Sequence, residues 1–356
     1  MYTSLPDIFL VPIIYIYHEI LEIKELEVNR YNLMGRFNNR YINSRQGPIG
    51  VSLPNEVQNR WSIDGRYMEM QADMLGVPLK VTIAEDNANR QNEQIDEMID
   101  QGFQVLIVAP INSKSLAPVL DKAKKAGIKI IAYDRLILDA DIDAYITYSS
   151  LRVGEIQGRY LIEKAPRGNY IILFGDPADN NSALLREGAM EYIRPRVLQR
   201  YINIVKEAPV IDWNPLNAYN IVKNALVENN NNVVAILSPN DSIANEVIRA
   251  LEEQGLAGKV LVTGQDGELQ AARRIVNGTQ SMTVFKDSRE LGKEAVDLAV
   301  KLSKGDPVDA STTVNNGRKD VPSILLTPVL VDENNLDRVL IDSGYLDKNQ
   351  VYQRYW

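Results

Sequence analysis

Lys129-Ile130-Ile131-Ala132-Tyr133 runs directly into Asp134-Arg135, and this stretch decides how the rest of the chain is read. Five mostly apolar residues suit a buried strand, and the polar pair at their end suits a ligand. The same sentence is written elsewhere. Val233-Val234-Ala235-Ile236-Leu237 passes through Ser238-Pro239 to Asn240-Asp241. Val260-Leu261-Val262-Thr263-Gly264 ends on Gln265-Asp266, and Tyr170-Ile171-Ile172-Leu173-Phe174 passes through Gly175 to Asp176. In open parallel α/β sheets, ligands bind outside the carboxyl ends of the strands. Repeated in two halves of one chain, the pattern predicts a small polar molecule held between two lobes.

Outward from this stretch the rhythm is strand, helix, strand. Strands are predicted at 49–53, 79–84, 105–109 and 128–133. A second set is predicted at 170–174, 202–206, 233–237, 260–263 and 281–284. A helix at 60–75 stops at Gly76, and another covers 182–192. Such alternation implies parallel sheets with right-handed crossovers. At 356 residues the chain suits two such lobes, each with its own core. Residues 1–46 differ. Ile13, Ile16, Ile20 and Ile23 recur at helical spacing until Gly47-Pro48 breaks the pattern, so a helical extension is expected there. Its apolar stripe predicts an interface, either for self-association or for a membrane partner.

Composition removes several chemistries. The formal net charge of −8 argues against a nucleic-acid partner. The chain has no cysteine, which excludes disulfides and thiol catalysis. Its one histidine, His18, lies in the atypical first segment, so no histidine triad or zinc site is expected in the main body. Neither a metal nor a cofactor is expected. The apolar run at 8–17 lacks a basic leader and a small-residue cleavage site, so no export signal is visible.

The remaining polar residues suit a monosaccharide. A sugar ring offers paired hydroxyls and apolar C–H faces. Binding it takes charged or amide groups that donate and accept in pairs, since an unmatched buried polar group costs about 1–3 kcal/mol. It also takes flat aromatic walls. Trp61 and Trp213 are the tryptophans of the main body, each with polar neighbours. Asp134 and Arg135 offer an acceptor and a donor side by side. Asp179-Asn180-Asn181 and Asn240-Asp241 read equally as helix N-caps. Gln265-Asp266 carries the same ambiguity, and Lys286, after Met282-Thr283-Val284-Phe285, reads as a ligand group or a solvated charge.

From 49 to 337 the chain resembles the bacterial periplasmic D-xylose-binding proteins, within the ribose- and galactose-type sugar-binding family. The resemblance is carried by Asn59-Arg60-Trp61, Ala132-Tyr133-Asp134-Arg135 and Asp139-Ala140-Asp141-Ile142-Asp143. Pro177-Ala178-Asp179-Asn180-Asn181, Gly264-Gln265-Asp266, the stretch 278–286 and the stretch 315–323 extend it. It implies two doubly wound parallel-sheet lobes joined by a three-crossing hinge. The lobes would be 47–147 plus 288–326, and 150–284 plus 328–350. Arg60, Asp134, Arg135, Asn181, Asn240, Asp266 and Lys286 would hydrogen-bond the sugar, with Trp61 and Trp213 as stacking walls. Asp179, Asn180 and Gln265 are further ligand-binding candidates, secondary to these. The ligand implied is D-xylose, bound outside the cytoplasm without catalysis. The partner implied is an ABC-transporter permease or the sensor kinase of a two-component system. Pro54-Asn55-Glu56 departs from the more acidic loop usual in the family.

Two other readings use similar parts. A LacI-type regulator has the same core but needs a basic helix-turn-helix before residue 50, and 1–46 has balanced charge. A sugar-processing enzyme could use Asp134 and Asp266 as a carboxylate pair.

Overall fold

A computed structural model describes residues 47–56, 59–310 and 312–353. The helical extension expected at 1–46 lies outside the described residues. Among the described residues, the first sheet has seven strands. They are β1 (Ile49–Leu53), β2 (Leu79–Ile83), β3 (Val105–Val108), β4 (Lys129–Tyr133), β5 (Ala144–Tyr148), β11 (Thr312–Asn315) and β12 (Asp320–Leu326). Their order is β11-β12-β5-β4-β3-β1-β2, parallel throughout except for the β11–β12 hairpin. Helices α1 (Asn59–Leu75), α2 (Ala88–Asp100) and α3 (Ala117–Lys125) cross over between its first strands.

The second sheet contains β6 (Gly168–Phe174), β7 (Ile202–Pro209), β8 (Ala235–Leu237) and β9 (Leu261–Val262), in the order β7-β6-β8-β9 and all parallel. Its helices are α4 (Ser150–Lys164), α5 (Asn180–Leu198), α6 (Pro215–Glu228), α7 (Asp241–Glu253) and α8 (Leu269–Val276). A two-stranded antiparallel pair, β10 (Thr283–Phe285) with β13 (Val329–Val331), stands beside it. Helix α9 (Ser288–Ser303) returns to the first sheet, and α10 (Lys348–Tyr352) closes the described chain.

Each sheet has a core on both faces because its strands are apolar on both sides. On the first sheet, Val51, Leu53, Ile107 and Ile131 pack with Met68 of α1 and Leu291, Ala295 and Leu298 of α9. Leu106, Val108 and Ile130 face Ile95, Met98 and Leu120 on the other side. On the second, Ile171, Leu173 and Ile236 meet Val222, Leu226, Ile243 and Val247, while Tyr170, Ile172 and Leu237 meet Leu161, Ala189 and Ile193. Helices α4 and α5 approach unusually closely. A Cβ on Gly154 would lie 2.0 Å from the Leu185 carbonyl oxygen, and one on Gly188 2.1 Å from that of Leu151. Only glycine permits this crossing, which fixes the start of α5 against the start of α4.

The chain passes between the sheets three times, after β5, after β10 and after β12. These crossings are tied together. Ser149 N donates to the Leu326 carbonyl at 3.3 Å, and the Tyr148 hydroxyl donates to Glu290 at 2.9 Å while accepting from Asp287 N at 3.1 Å.

Five elements differ from expectation. The strand expected at 281–284 does not extend the second sheet. As β10 it pairs with β13, and it touches the segment after β9 only through an isolated bridge between Phe285 and Asp266. Strand β5 and the β11–β12 hairpin were not predicted. Tyr145, Thr147, Thr312 and Thr313 interrupt the apolar pattern that marks the other strands. Helix α5 continues beyond 192 through Pro195 to Leu198, the proline being accommodated near its end.

Candidate functional site

The carboxyl ends of the two sheets face one another, and the residues just beyond them form one wall. A cavity of about 310 Å³, including its mouth, is lined by Arg60, Trp61, Asp134, Arg135, Ser150, Asp179, Asn181, Leu185, Trp213, Asn240, Gln265, Asp266 and Lys286.

From the first sheet, α1 starts soon after β1, and its first turn carries Arg60 and Trp61. The Arg60 guanidinium lies 4.4 Å from the centroid of the Trp61 ring, and that of Arg135 lies 5.2 Å from it. Asp134 follows β4 with a left-handed backbone, φ 58°. Aspartate tolerates this region better than most residues, and the surroundings hold it there. Its carbonyl accepts from the Tyr145 hydroxyl at 3.0 Å, Thr147 Oγ1 at 2.8 Å and Asn181 Nδ2 at 2.8 Å. Its amide donates to the Ile146 carbonyl at 2.8 Å.

From the second sheet, Asp179 caps α5 by accepting from Asn181 N at 2.9 Å, and its other oxygen meets Arg135 Nε at 2.9 Å. Asn240 caps α7 by accepting from Ile243 N at 2.9 Å. The N-cap reading and the wall position therefore coincide at both residues. Asp266 has φ 103° and is pinned by its amide to the Val284 carbonyl at 2.8 Å. Trp213 ends a tight turn in which both Asp212 and Trp213 have positive φ. Its ring lies on Gly175, where a Cβ would come within 2.1 Å of Cζ2.

The charges form one network across the cleft. Arg60 Nη2 lies 3.0 Å from Asp64 and 3.0 Å from Asp134, and its Nη1 lies 3.3 Å from Asp266. Lys286 Nζ lies 3.4 Å from Asp134 and 3.1 Å from Asp266. All five residues are buried. Burial opposes the Asp134 carboxylate, yet Arg60, Lys286 and Arg135 outweigh it and hold the group down at about 2. Burial opposes the Arg60 cation too, and Asp134, Asp64 and Asp266 reverse this, raising it well above its ordinary value. Asp179 is pushed up by burial, with Arg135 opposing. Two buried polar atoms of wall residues, Asn181 Oδ1 and Trp213 Nε1, lack a hydrogen-bond partner among the described residues. Such atoms suit a polar ligand, because leaving them unmatched is costly.

Of the twelve sugar-contact candidates named from sequence, only Asn180 is absent from the wall. Its amide instead donates to Ser113 Oγ at 3.0 Å. Sequence reasoning missed Ser150 and Leu185, which read as ordinary helix residues. It also missed two supports behind the wall. Gln157 Nε2 donates to the Gly264 carbonyl at 3.0 Å and the Ser238 carbonyl at 3.3 Å, joining the loops after β8 and β9. Asp241 accepts from Gly267 N at 2.9 Å, Glu268 N at 3.0 Å, Thr283 Oγ1 at 2.8 Å and Gln280 Nε2 at 2.8 Å. Burial, with Glu268 and Asp266 close by, pushes the Asp241 carboxyl up. The signal for Asp241 was its place beside Asn240; nothing local distinguishes Gln157.

Residues 49–307 match the model of the periplasmic binding protein domain. The D-xylose-binding periplasmic protein of Escherichia coli strain K12 is 41% identical over 308 residues, covering 86% of this chain and 93% of that protein. A multiple sugar-binding periplasmic receptor of Rhizobium radiobacter is 34% identical over 327 residues, covering 86% and 92%. Among solved structures, an ABC transporter solute binding protein of Clostridium phytofermentans with bound β-D-glucose superposes with a TM-score of 0.80 at 34% identity, covering 85% of this chain and 99% of that one. With its two parallel-sheet lobes, three crossings and facing strand ends, this chain belongs to the periplasmic binding protein family and is a relative of the D-xylose-binding periplasmic proteins.

Proposed function

We propose that the chain binds D-xylose in the cavity between its two lobes, outside the cytoplasm, and closes around it without chemical turnover. The observation that carries this reading is the composition of the wall. Paired carboxylates and cations, two tryptophans and two unpartnered polar atoms converge from both sheets. Arg60, Asp134, Arg135, Asn181, Asn240, Asp266 and Lys286 hydrogen-bond the hydroxyls, with Asp179 and Gln265 as further wall groups. Trp61 and Trp213 cover the C–H faces. Specificity against hexoses comes from lack of room for the hydroxymethyl group, and against epimers from hydroxyls that leave partners unmatched. The lobes comprise 47–147 plus 288–326 and 150–284 plus 328–350, and they move about the crossings.

Asp134, one of the two carboxylates a sugar-processing reading would use, is not poised as a glycosidase acid. A glycosidase needs one carboxyl held protonated near neutral pH. Asp134 is held in the opposite direction by three cations.

The closed form hands its signal or cargo to a membrane partner, either the sensor kinase of a two-component system or an ABC-transporter permease. We favour the sensor because of the atypical segment 1–46. Calorimetry with D-xylose, D-ribose and D-glucose tests the ligand; absence of D-xylose binding overturns it. Pull-down from membranes with and without D-xylose separates sensor from permease.

A further inference from the structure

Ser113 belongs to the first lobe and is not part of the cavity wall, yet its polar atoms meet the second lobe. It follows β3 in a turn held by Asn112, whose Oδ1 accepts from Lys114 N at 2.9 Å. The Ser113 carbonyl accepts from Leu138 N at 2.7 Å, which anchors it further within its own lobe. Across the cleft, Ser113 N donates to the Ala178 carbonyl at 3.0 Å, and Ser113 Oγ accepts from Asn180 N at 3.0 Å. Ser113 is 3% exposed.

Asn180 N is the first amide of α5. The leading amides of a helix have no acceptor within it. Asp179 serves two of them, through its side chain to Asn181 N at 2.9 Å and its carbonyl to Ser182 N at 3.1 Å. The third acceptor comes from the opposite lobe. We propose that Ser113 is an interlobe clasp: it completes the cap of α5 only when the lobes are closed, and so strengthens sugar binding without touching sugar. This rests on the proposed binding of D-xylose in the cavity.

The physical consequence is a shift in the open–closed balance. In the open form, water takes the place of both contacts. In the closed form, the clasp adds two hydrogen bonds, each with a modest net effect. Sugar enters the open form, so overall affinity rises with the stability of the closed complex relative to the open one. The other polar contacts across the cleft described above, Arg135–Asp179, Asn181–Asp134 and the Arg60–Lys286 network, all involve wall residues. A substitution at Ser113 therefore changes closure while leaving the wall composition intact.

Two measurements on the full chain test this. In the first, Ser113→Ala is titrated with D-xylose and its release followed by stopped flow. The expected result is a roughly fivefold weaker affinity, carried by faster release at an unchanged association rate. Wild-type affinity and release in this variant overturn the clasp. The second needs no sugar chemistry at the wall. The native chain has no cysteine, so Ser113→Cys combined with Asn180→Cys introduces the sole thiol pair. The Oγ–N contact at 3.0 Å brings the Ser113 side chain onto the Asn180 backbone, which is why this pair is chosen. Mild oxidation is expected to cross-link them and give a more compact particle by small-angle scattering. Failure to cross-link, with and without D-xylose, overturns the proposal. If the wild-type chain does not bind D-xylose but the cysteine pair still cross-links, the sugar reading fails and the closing contact stands.

Discussion

Arg60 and Asp266 meet across the cleft, Nη1 to Oδ1 at 3.3 Å, although 206 positions separate them. One starts the first helix of the first lobe and the other follows the last strand of the second sheet. Both are buried, so neither charge is tolerable without partners. Removing Asp266 strips Arg60 and Lys286 of a shared carboxylate. Asp266→Ala is expected to weaken D-xylose binding by more than tenfold in calorimetry. Unchanged affinity would remove Asp266 from the site.

Trp213 combines an apolar face with an unpartnered indole N–H. Trp213→Phe keeps most of the face and loses the donor, at about 1 kcal/mol or roughly fivefold in affinity. Trp213→Ala loses both and is expected to abolish measurable binding. If the two variants bind equally well, the ring is not a stacking wall.

Gly175 makes room for that ring. A methyl group there would lie 2.1 Å from Cζ2, so Gly175→Ala must displace the indole. Titration is expected to show at least tenfold weaker D-xylose binding, while circular dichroism retains the wild-type α/β spectrum. Wild-type affinity would mean the ring can move without consequence.

The pH response of Asp134 has a definite sign. Its carboxyl is held at about 2 in the folded protein, below an unfolded value of about 3.9. Its contribution to stability is therefore complete above about pH 4 and is lost as pH falls toward 2. Urea unfolding of the wild type and Asp134→Asn should differ by a constant amount from pH 5 to 8. The gap should narrow below pH 4. A gap that grows on acidification would contradict the charge network.

Among the described residues, the cavity wall begins at position 60. Deletion of residues 1–46 is therefore expected to preserve D-xylose affinity while changing oligomeric state or sensor binding. Loss of sugar binding, or association left intact, would refute an interface role for that segment.

Much of this was legible along the chain because buried parallel strands write themselves as short apolar runs. Ile130-Ile131 and Val105-Leu106-Ile107-Val108 have no other stable place than a sheet covered on both faces. Polar residues immediately after such runs sit at the strand ends by the geometry of the strand alone, which is why Asp134, Arg135 and Asp266 could be named in advance. Strand β5 and the β11–β12 hairpin were hidden, since their tyrosines and threonines blur the pattern.

The sequence by itself thus determined the two-lobed α/β architecture, the end of each sheet that would carry polar groups, and the aromatic and charged residue types available there. Tertiary structure decided what no local pattern contains. It set Asp64 behind Arg60, tied Gln157 to two loops of the second lobe, and turned Leu185 and Ser150 into the wall. It also drew Asn180 away from the wall to Ser113. The reason is physical: strand propensity and burial act between near neighbours, whereas these contacts join segments that come together only after both sheets have formed and their ends face each other.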